Sequence, residues 1–202
     1  MSTPNTNECL AITASGEDRV GLVEKLTSQI TASGCNIEQS RMGVLGGQFA
    51  LIMRVTGSKE ALSVLESRLG PLGVELDLAI IHKWTRERER PVAAVPSLVE
   101  VVALDNPGIV HNLARFFAAN GINIEELETD SYPAPHTGSP MFAVHMTVGV
   151  PGGTAIAKLR DDFFEHCDDL KLVASGEPVR VCVDLDSGRR TTMMSLLPRT
   201  FL

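Results

Sequence analysis

Apolar residues recur along this chain in short bursts whose period changes from burst to burst. Cys9 to Ala14 is a brief, mostly apolar run with the length of a buried strand. After a turn rich in Gly and Asp, Val20, Val23, Leu26, Thr27 and Ile30 recur at helical spacing, and Gly34 is a C-terminal stop. Asn36 to Val44 and Gln48 to Val55 read as strands joined by a Gly46-Gly47 hairpin turn. Ser58 can cap a helix whose apolar face is Ala61, Leu62, Leu65 and Leu69, with an end expected near Gly70-Pro71. Val74, Leu76, Leu78 and Ile80 then alternate, which predicts a last strand over Val74 to Ile81.

The same order returns later in the chain. Asp18-Arg19-Val20-Gly21 aligns with Asp105-Asn106-Pro107-Gly108 at an offset of 87, which also pairs Leu26 with Leu113, Ala32 with Ala119 and Gly34 with Gly121. Asn36-Ile37-Glu38 then falls on Asn123-Ile124-Glu125. Phe49-Ala50 matches Phe142-Ala143 at 93, so the second copy carries six extra residues, expected in the loop-like stretch Tyr132 to Pro140. Its strands are expected at about 98–104, 122–130, 141–149 and 170–174, and its helices at about 108–120 and 153–166.

Strand–helix–strand–strand–helix–strand in so short a span predicts an α+β chain of two βαββαβ domains. Each is a four-stranded antiparallel sheet with both helices on one face. The bare face or the strand edges are left for pairing, which points to a homo-oligomer or to association of the two sheets. The expected boundaries are a tail over 1–7, domains over 8–82 and 97–180, a charge-alternating linker over 83–96, and a tail over 181–202.

Composition narrows the function. Aromatic residues are 4% of the chain, so the core must be aliphatic and few platforms exist for stacking bases. Formal net charge is −7, with 10 basic and 11 acidic side chains in residues 1–90 against 8 and 14 in residues 91–202. Neither half is basic, which speaks against direct nucleic-acid binding. The one basic stretch is the tail around Arg189, Arg190 and Arg199. Cys9, Cys35, Cys167 and Cys182 form no CxxC pair, the N-terminal residues lack a signal-peptide pattern, and no apolar run reaches membrane-spanning length. A cytoplasmic protein with reduced thiols is expected.

The strongest candidate site is the turn after each first strand, Asp18 to Gly21 and Asp105 to Gly108. Both lead into a helix N-terminus, where free amides and the dipole suit the carboxylate of an amino acid. Gly21 and Gly108 permit close backbone approach. Asp18 and Asp105 either cap the helix or receive a ligand ammonium. Arg19 adds a cation only to the first turn, since Asn106 replaces it in the second. Asn36 and Asn123, with Ile37 and Ile124, either serve turn geometry or present amides to a ligand. Catalytic motifs are lacking, so no enzyme activity, cofactor or metal is expected. Asp162 and His166 have metal-ligand spacing on a helix, but a solvated acidic face is the stronger reading. Cys35 has no matching His and reads as a small apolar side chain.

The pair of motifs D-R-V-G-L-V and D-N-P-G-I-V, each followed by G-x-N-I-E, resembles the ACT domain over about residues 8–82 and 97–180. The resemblance implies a ferredoxin-like module that binds amino acids in regulatory proteins. It implies ligand sites built from the turn of one domain (Asp18, Arg19, Val20, Gly21 or Asp105, Asn106, Pro107, Gly108) against the second strand of a neighbour (Asn36, Ile37 or Asn123, Ile124). A bare tandem of such domains is similar to repressors of transcription that answer to a small amino acid, glycine foremost, and act through a DNA-binding activator partner. The alternative is a sensor that regulates a metabolic enzyme in trans. Val20 stands where many members have the proline kept here as Pro107.

Overall fold

The structure is a computed structural model that describes residues 8–86, 94–169 and 181–184. The chain divides between Glu89 and Arg90 into two compact units. The first runs β1 (Glu8–Glu17), α1 (Leu22–Ala32), β2 (Asn36–Leu45), β3 (Gln48–Thr56), α2 (Lys59–Leu76) and β4 (Ala79–Arg86). The second runs β5 (Ala94–Leu104), α3 (Ile109–Ala119), β6 (Asn123–Pro133), β7 (Pro140–Pro151), α4 (Ile156–Asp169) and β8 (Val181–Asp184). The two sheets have the same order, β2-β3-β1-β4 and β6-β7-β5-β8, antiparallel throughout.

Side-chain alternation explains the layers. In the first unit Leu10, Ile12 and Ala14 of β1 and Phe49, Leu51, Met53 and Val55 of β3 point to one face. There they meet Leu22, Leu26 and Ile30 of α1 and five leucines of α2. The second unit repeats this with Val99, Val101 and Ala103 against Val144, Met146 and Val148, covered by Leu113, Phe117, Leu159 and Phe163. Both helices of a unit therefore lie on one side of its sheet, and the other side is bare within the unit.

The structure corrects the expected end of the first unit. The helix does not stop at Gly70-Pro71 but continues to Leu76, and the last strand is Ala79–Arg86 rather than Val74 to Ile81. A proline inside a helix costs about 3 kcal/mol. Leu72 and Leu76 are 5% and 2% exposed, and burying a leucine contributes about 1.5–3 kcal/mol, so continuation wins. Val74, assigned to the strand's apolar face, is exposed on the helix. The helix closes with Asp77 in the left-handed region (φ 50), the one described non-glycine residue there. The Leu78 amide donates back to the Gly73 carbonyl at 2.9 Å. This is a Schellman-type ending, with an aspartate where glycine is usual.

Trp84 and His82 are therefore strand residues. Both rings contact Glu66 of α2, the indole nitrogen donating to Oε1 at 2.9 Å and His82 Nε2 lying at 3.2 Å. At the other flank β5 starts at Ala94, which puts Pro96 inside a strand opposite Gly149. The ladder to β8 spans only Leu98 to Val101, so Pro96 has no β8 partner to deprive of a hydrogen bond. In the second unit the residues expected as a strand over 170–174 lie outside the described residues. Its fourth strand is Val181–Asp184, which was assigned to the tail. The rest of that tail, with Arg189, Arg190 and Arg199, is also outside them, as are the linker residues 87–93.

Gly73 marks the tightest helix–strand approach. A Cβ there would sit 2.9 Å from the Leu78 carbonyl and 3.5 Å from the Ile80 side chain. Gly73→Val should lower the stability of the first domain by about 1–3 kcal/mol, an overpacking cost. The gain in helix propensity, below about 1 kcal/mol, does not offset it. Urea unfolding followed by Trp84 fluorescence would show an earlier midpoint; an unchanged one would mean that α2 does not pack on β4 in this way.

Candidate functional site

The two turns are built alike. The chain leaves β1 at Glu17, and the Asp18 amide donates to the Gly47 carbonyl of the β2–β3 hairpin at 2.9 Å. In the second unit the Asp105 amide donates to the Pro140 carbonyl, also at 2.9 Å. Each aspartate is thus fastened by its backbone to the neighbouring hairpin. The longer second hairpin keeps this bond although its loop contains the extra residues. That loop closes on itself through Ala134, whose amide donates to Ser139 at 2.8 Å and whose side chain is buried.

Gly21 and Gly108 are the N-caps of α1 and α3, with φ of 97 and 93. Other residues rarely adopt this left-handed region, so glycine is needed for its backbone. A Cβ at Gly21 would meet nothing within 4 Å. The surrounding space is therefore open, and conformation, more than clearance, is what the position demands. Neither helix receives a side-chain cap. The reading of Asp18 and Asp105 as helix caps is not what the geometry gives. The first-turn amides keep their donors, as helix N-termini without caps do. Val20 is fully exposed beside Gly21, and Pro107 is exposed beside Gly108.

The turns also differ. The Arg19 guanidinium donates to the Leu76 carbonyl at the end of α2, where a cation meets the negative end of the helix dipole. Arg19 is thus committed to holding the helix end. Asn106 turns back and donates to Leu104 at 3.2 Å. The first turn of α1 contains Glu24, whereas that of α3 contains no acid.

Asn36 and Asn123 open β2 and β6 and are exposed. The left-handed residues before them are Gly34 (φ 76) and Gly121 (φ 67), so the turn does not need asparagine. Those glycines end α1 and α3 in matching fashion: Cys35 N–H donates to Ile30 at 3.2 Å and Ile122 N–H to Phe117 at 2.9 Å. Ile37 and Ile124 are half-buried and pack against the two cores. The glutamate of each N-I-E motif, not singled out in the sequence, is the extra residue of a β-bulge between Ile37 and Gln39 and between Ile124 and Glu126. Glu38 bonds Arg54 at 2.7 Å, whereas Glu125 lies over Gly149. The signal was the repeated Glu itself.

Register shows what one unit brings together. Asn36 shares a rung with Thr56, which faces Cys9 at the start of β1; the turn follows Glu17 at its far end. Eight residues at ~3.3 Å each separate them by about 26 Å. A single domain does not unite its turn with its own asparagine, and the second domain repeats this arrangement.

Other reactive groups are spent elsewhere. His166 Nε2 lies 3.2 Å from the Asn112 carbonyl and its ring packs on Phe116, while Asp162 pairs with Lys158 at 2.9 Å. Burial pushes the Cys167 thiol up to about 12, with help from Asp168, and burial also raises Cys35. Neither thiol is a nucleophile at neutral pH. No group of three His, Cys, Asp or Glu side chains suited to a metal occurs among the described residues. No helix among them is long and apolar enough to cross a membrane.

Comparison with known proteins agrees with this architecture. The ACT domain family matches residues 8–82. The glycine cleavage system transcriptional repressor of Escherichia coli (strain K12) is 34% identical over 173 residues, 86% of this chain and 91% of that protein. The chain belongs to this repressor family. Among solved structures, one provisionally named a glycine cleavage system transcriptional repressor superposes with a TM-score of 0.67 at 26% identity, covering 88% of this chain and 96% of its own. An uncharacterised protein from Galdieria sulphuraria gives 0.68 at 25% identity, covering 88% and 97%. The likeness spans both domains of this repressor-family chain, including the half beyond the ACT match.

Proposed function

We propose that this chain is an amino-acid-responsive regulator that represses the glycine cleavage system through a DNA-binding activator protein, without touching DNA and without catalysis of its own. The observation that carries the reading is the pair of uncapped helix N-termini, each entered through a left-handed glycine with an aspartate beside it. Amides at such an end suit a carboxylate, and the aspartate suits an ammonium, so the pair is complementary to the two charged ends of a free amino acid. Glycine, which has no side chain to accommodate, is the first ligand to test. Asn36 and Asn123 would complete a site only from another ACT domain, because register separates them from their own turn.

Ligand binding would favour one association of domains over another and so change the surface offered to the activator, a population shift in a cytoplasmic homo-oligomer. The acidic second half supports action through a protein partner rather than on phosphates.

Thermal unfolding of the pure protein against each common amino acid tests this. A ligand that binds only the folded state adds about 2.7 kcal/mol at a hundredfold excess over its dissociation constant. A selective rise with glycine or another small amino acid is expected. No rise with any of them would leave a constitutive adaptor and remove the sensor reading.

A further inference from the structure

The bare faces of the two sheets carry opposite charge. Strand register sets the rungs. On the first sheet one rung is Gln39–Arg54–Ala11–Lys83 and the next is Arg41–Ile52–Thr13–Ile81. Its acids are few: Glu38 is held by Arg54 at 2.7 Å, and Glu17 lies at the end of the ladder. On the second sheet the rungs are Glu126–Thr147–Leu98, Glu128–His145–Glu100 and Asp130–Ala143–Val102. Strands β5 to β8 contain no lysine or arginine. Each face also exposes apolar surface: Ile52 at 53% and Ile81 at 71% on the first, Leu98 at 36% and Tyr132 at 38% on the second.

We propose that the basic face of the first sheet docks on the acidic face of the second sheet of another copy of this chain. Like faces repel, so a dimer pairing sheet 1 with sheet 1 and sheet 2 with sheet 2 is disfavoured, and only the crossed pairing matches charge. Two copies related by a two-fold axis make the crossed contact twice, which closes the assembly instead of propagating it. Size agrees. Four strands ~4.8 Å apart and nine or ten residues long present roughly 600 Å² per face. Two reciprocal contacts then bury roughly 2,000 Å² or more over both partners, enough for a stable dimer. The isoleucines and Leu98 supply apolar burial, and the charges set which face meets which. This inference uses neither the turns nor a ligand, so it stands apart from the sensor reading.

Sedimentation of the full chain tests it with two charge reversals, Arg41→Glu with Lys83→Glu on the basic face and Glu128→Lys with Asp130→Lys on the acidic one. Wild type is expected to be a dimer that loosens as salt rises from about 0.1 to about 1 M, where the screening length falls from ~10 to ~3 Å. Either reversal alone should raise the dimer dissociation constant at least tenfold. All four substitutions together, or an equimolar mixture of the two reversed proteins, should restore dimers, because each again matches an acidic face with a basic one. Circular dichroism of each variant checks folding. A wild-type monomer at every concentration, a dimer indifferent to both reversals, or well-folded reversals that no combination rescues would each overturn the proposal.

Discussion

Phe163→Ala should remove about 3–5 kcal/mol from the second domain, the largest loss expected from any single substitution here. Phe163 is 2% exposed, and its ring lies 5.1 Å from Phe116 and 5.3 Å from Phe117. Those two belong to α3, so Phe163 ties α4 to α3. The other buried anchors of α4 are Leu159 and Cys167. Domains are stable by only about 5–15 kcal/mol, so the loss is a large part of the total. The first domain has no comparable aromatic cluster, and its core is built from leucines around Phe49. The single tryptophan, Trp84, sits in that first domain. Denaturation should therefore show an early far-UV phase that the Trp84 fluorescence transition does not follow. A Trp84 midpoint lowered as much as the far-UV one would mean that the two domains unfold as a unit. No change in either would contradict the packing of Phe163.

The second large effect concerns the turns. Asp18→Ala and Asp105→Ala should leave stability nearly unchanged, because neither carboxylate caps its helix; a lost cap would cost about 0.5–2 kcal/mol. Their effect should fall on ligand binding instead. A hydrogen bond to a charged group contributes about 1.5–3 kcal/mol, so removing the ammonium acceptor should weaken amino-acid binding by roughly 10- to 100-fold. The two losses should be unequal. Glu24 in the first turn of α1 opposes a bound carboxylate, whereas α3 has no acid there, and Arg19 is occupied with Leu76 and supplies no compensation. Asp105→Ala is therefore expected to have the larger effect on the thermal shift by amino acids. Equal and negligible effects would end the case for the turns as a ligand site. A fall in stability of cap size, with ligand response intact, would restore the capping role.

Much of the candidate site was legible because it repeats. The matched Asp, Gly, Asn and Ile positions identified both turns and both strand starts before any coordinates. What each residue does there was less legible. Arg19 looked like a ligand-facing cation, but its partner is a backbone carbonyl 57 positions away, and carbonyls leave no mark in sequence. Asn36 looked like a turn residue because asparagine tolerates left-handed backbone, yet Gly34 takes that role. The end of the first domain was misread although a signal was present. Leu62, Leu65, Leu69, Leu72 and Leu76 keep alternating steps of three and four straight through Pro71, a helical stripe stronger than the alternation that follows it.

The sequence by itself determined the doubled βαββαβ order, the aliphatic cores, the glycines that must hold positive φ and the acidic bias of the second half. These depend on local spacing, on composition or on self-similarity, all of which a linear string contains. Only the tertiary structure decided that α2 runs past its proline, since that depends on whether Leu72 and Leu76 find a core to enter. It alone decided that turn and asparagine stand at opposite ends of one sheet, because their separation follows from strand register. It also sorted the charged strand residues into one basic and one acidic face, since which side of a sheet a residue faces depends on its rung partners and on which side the helices cover.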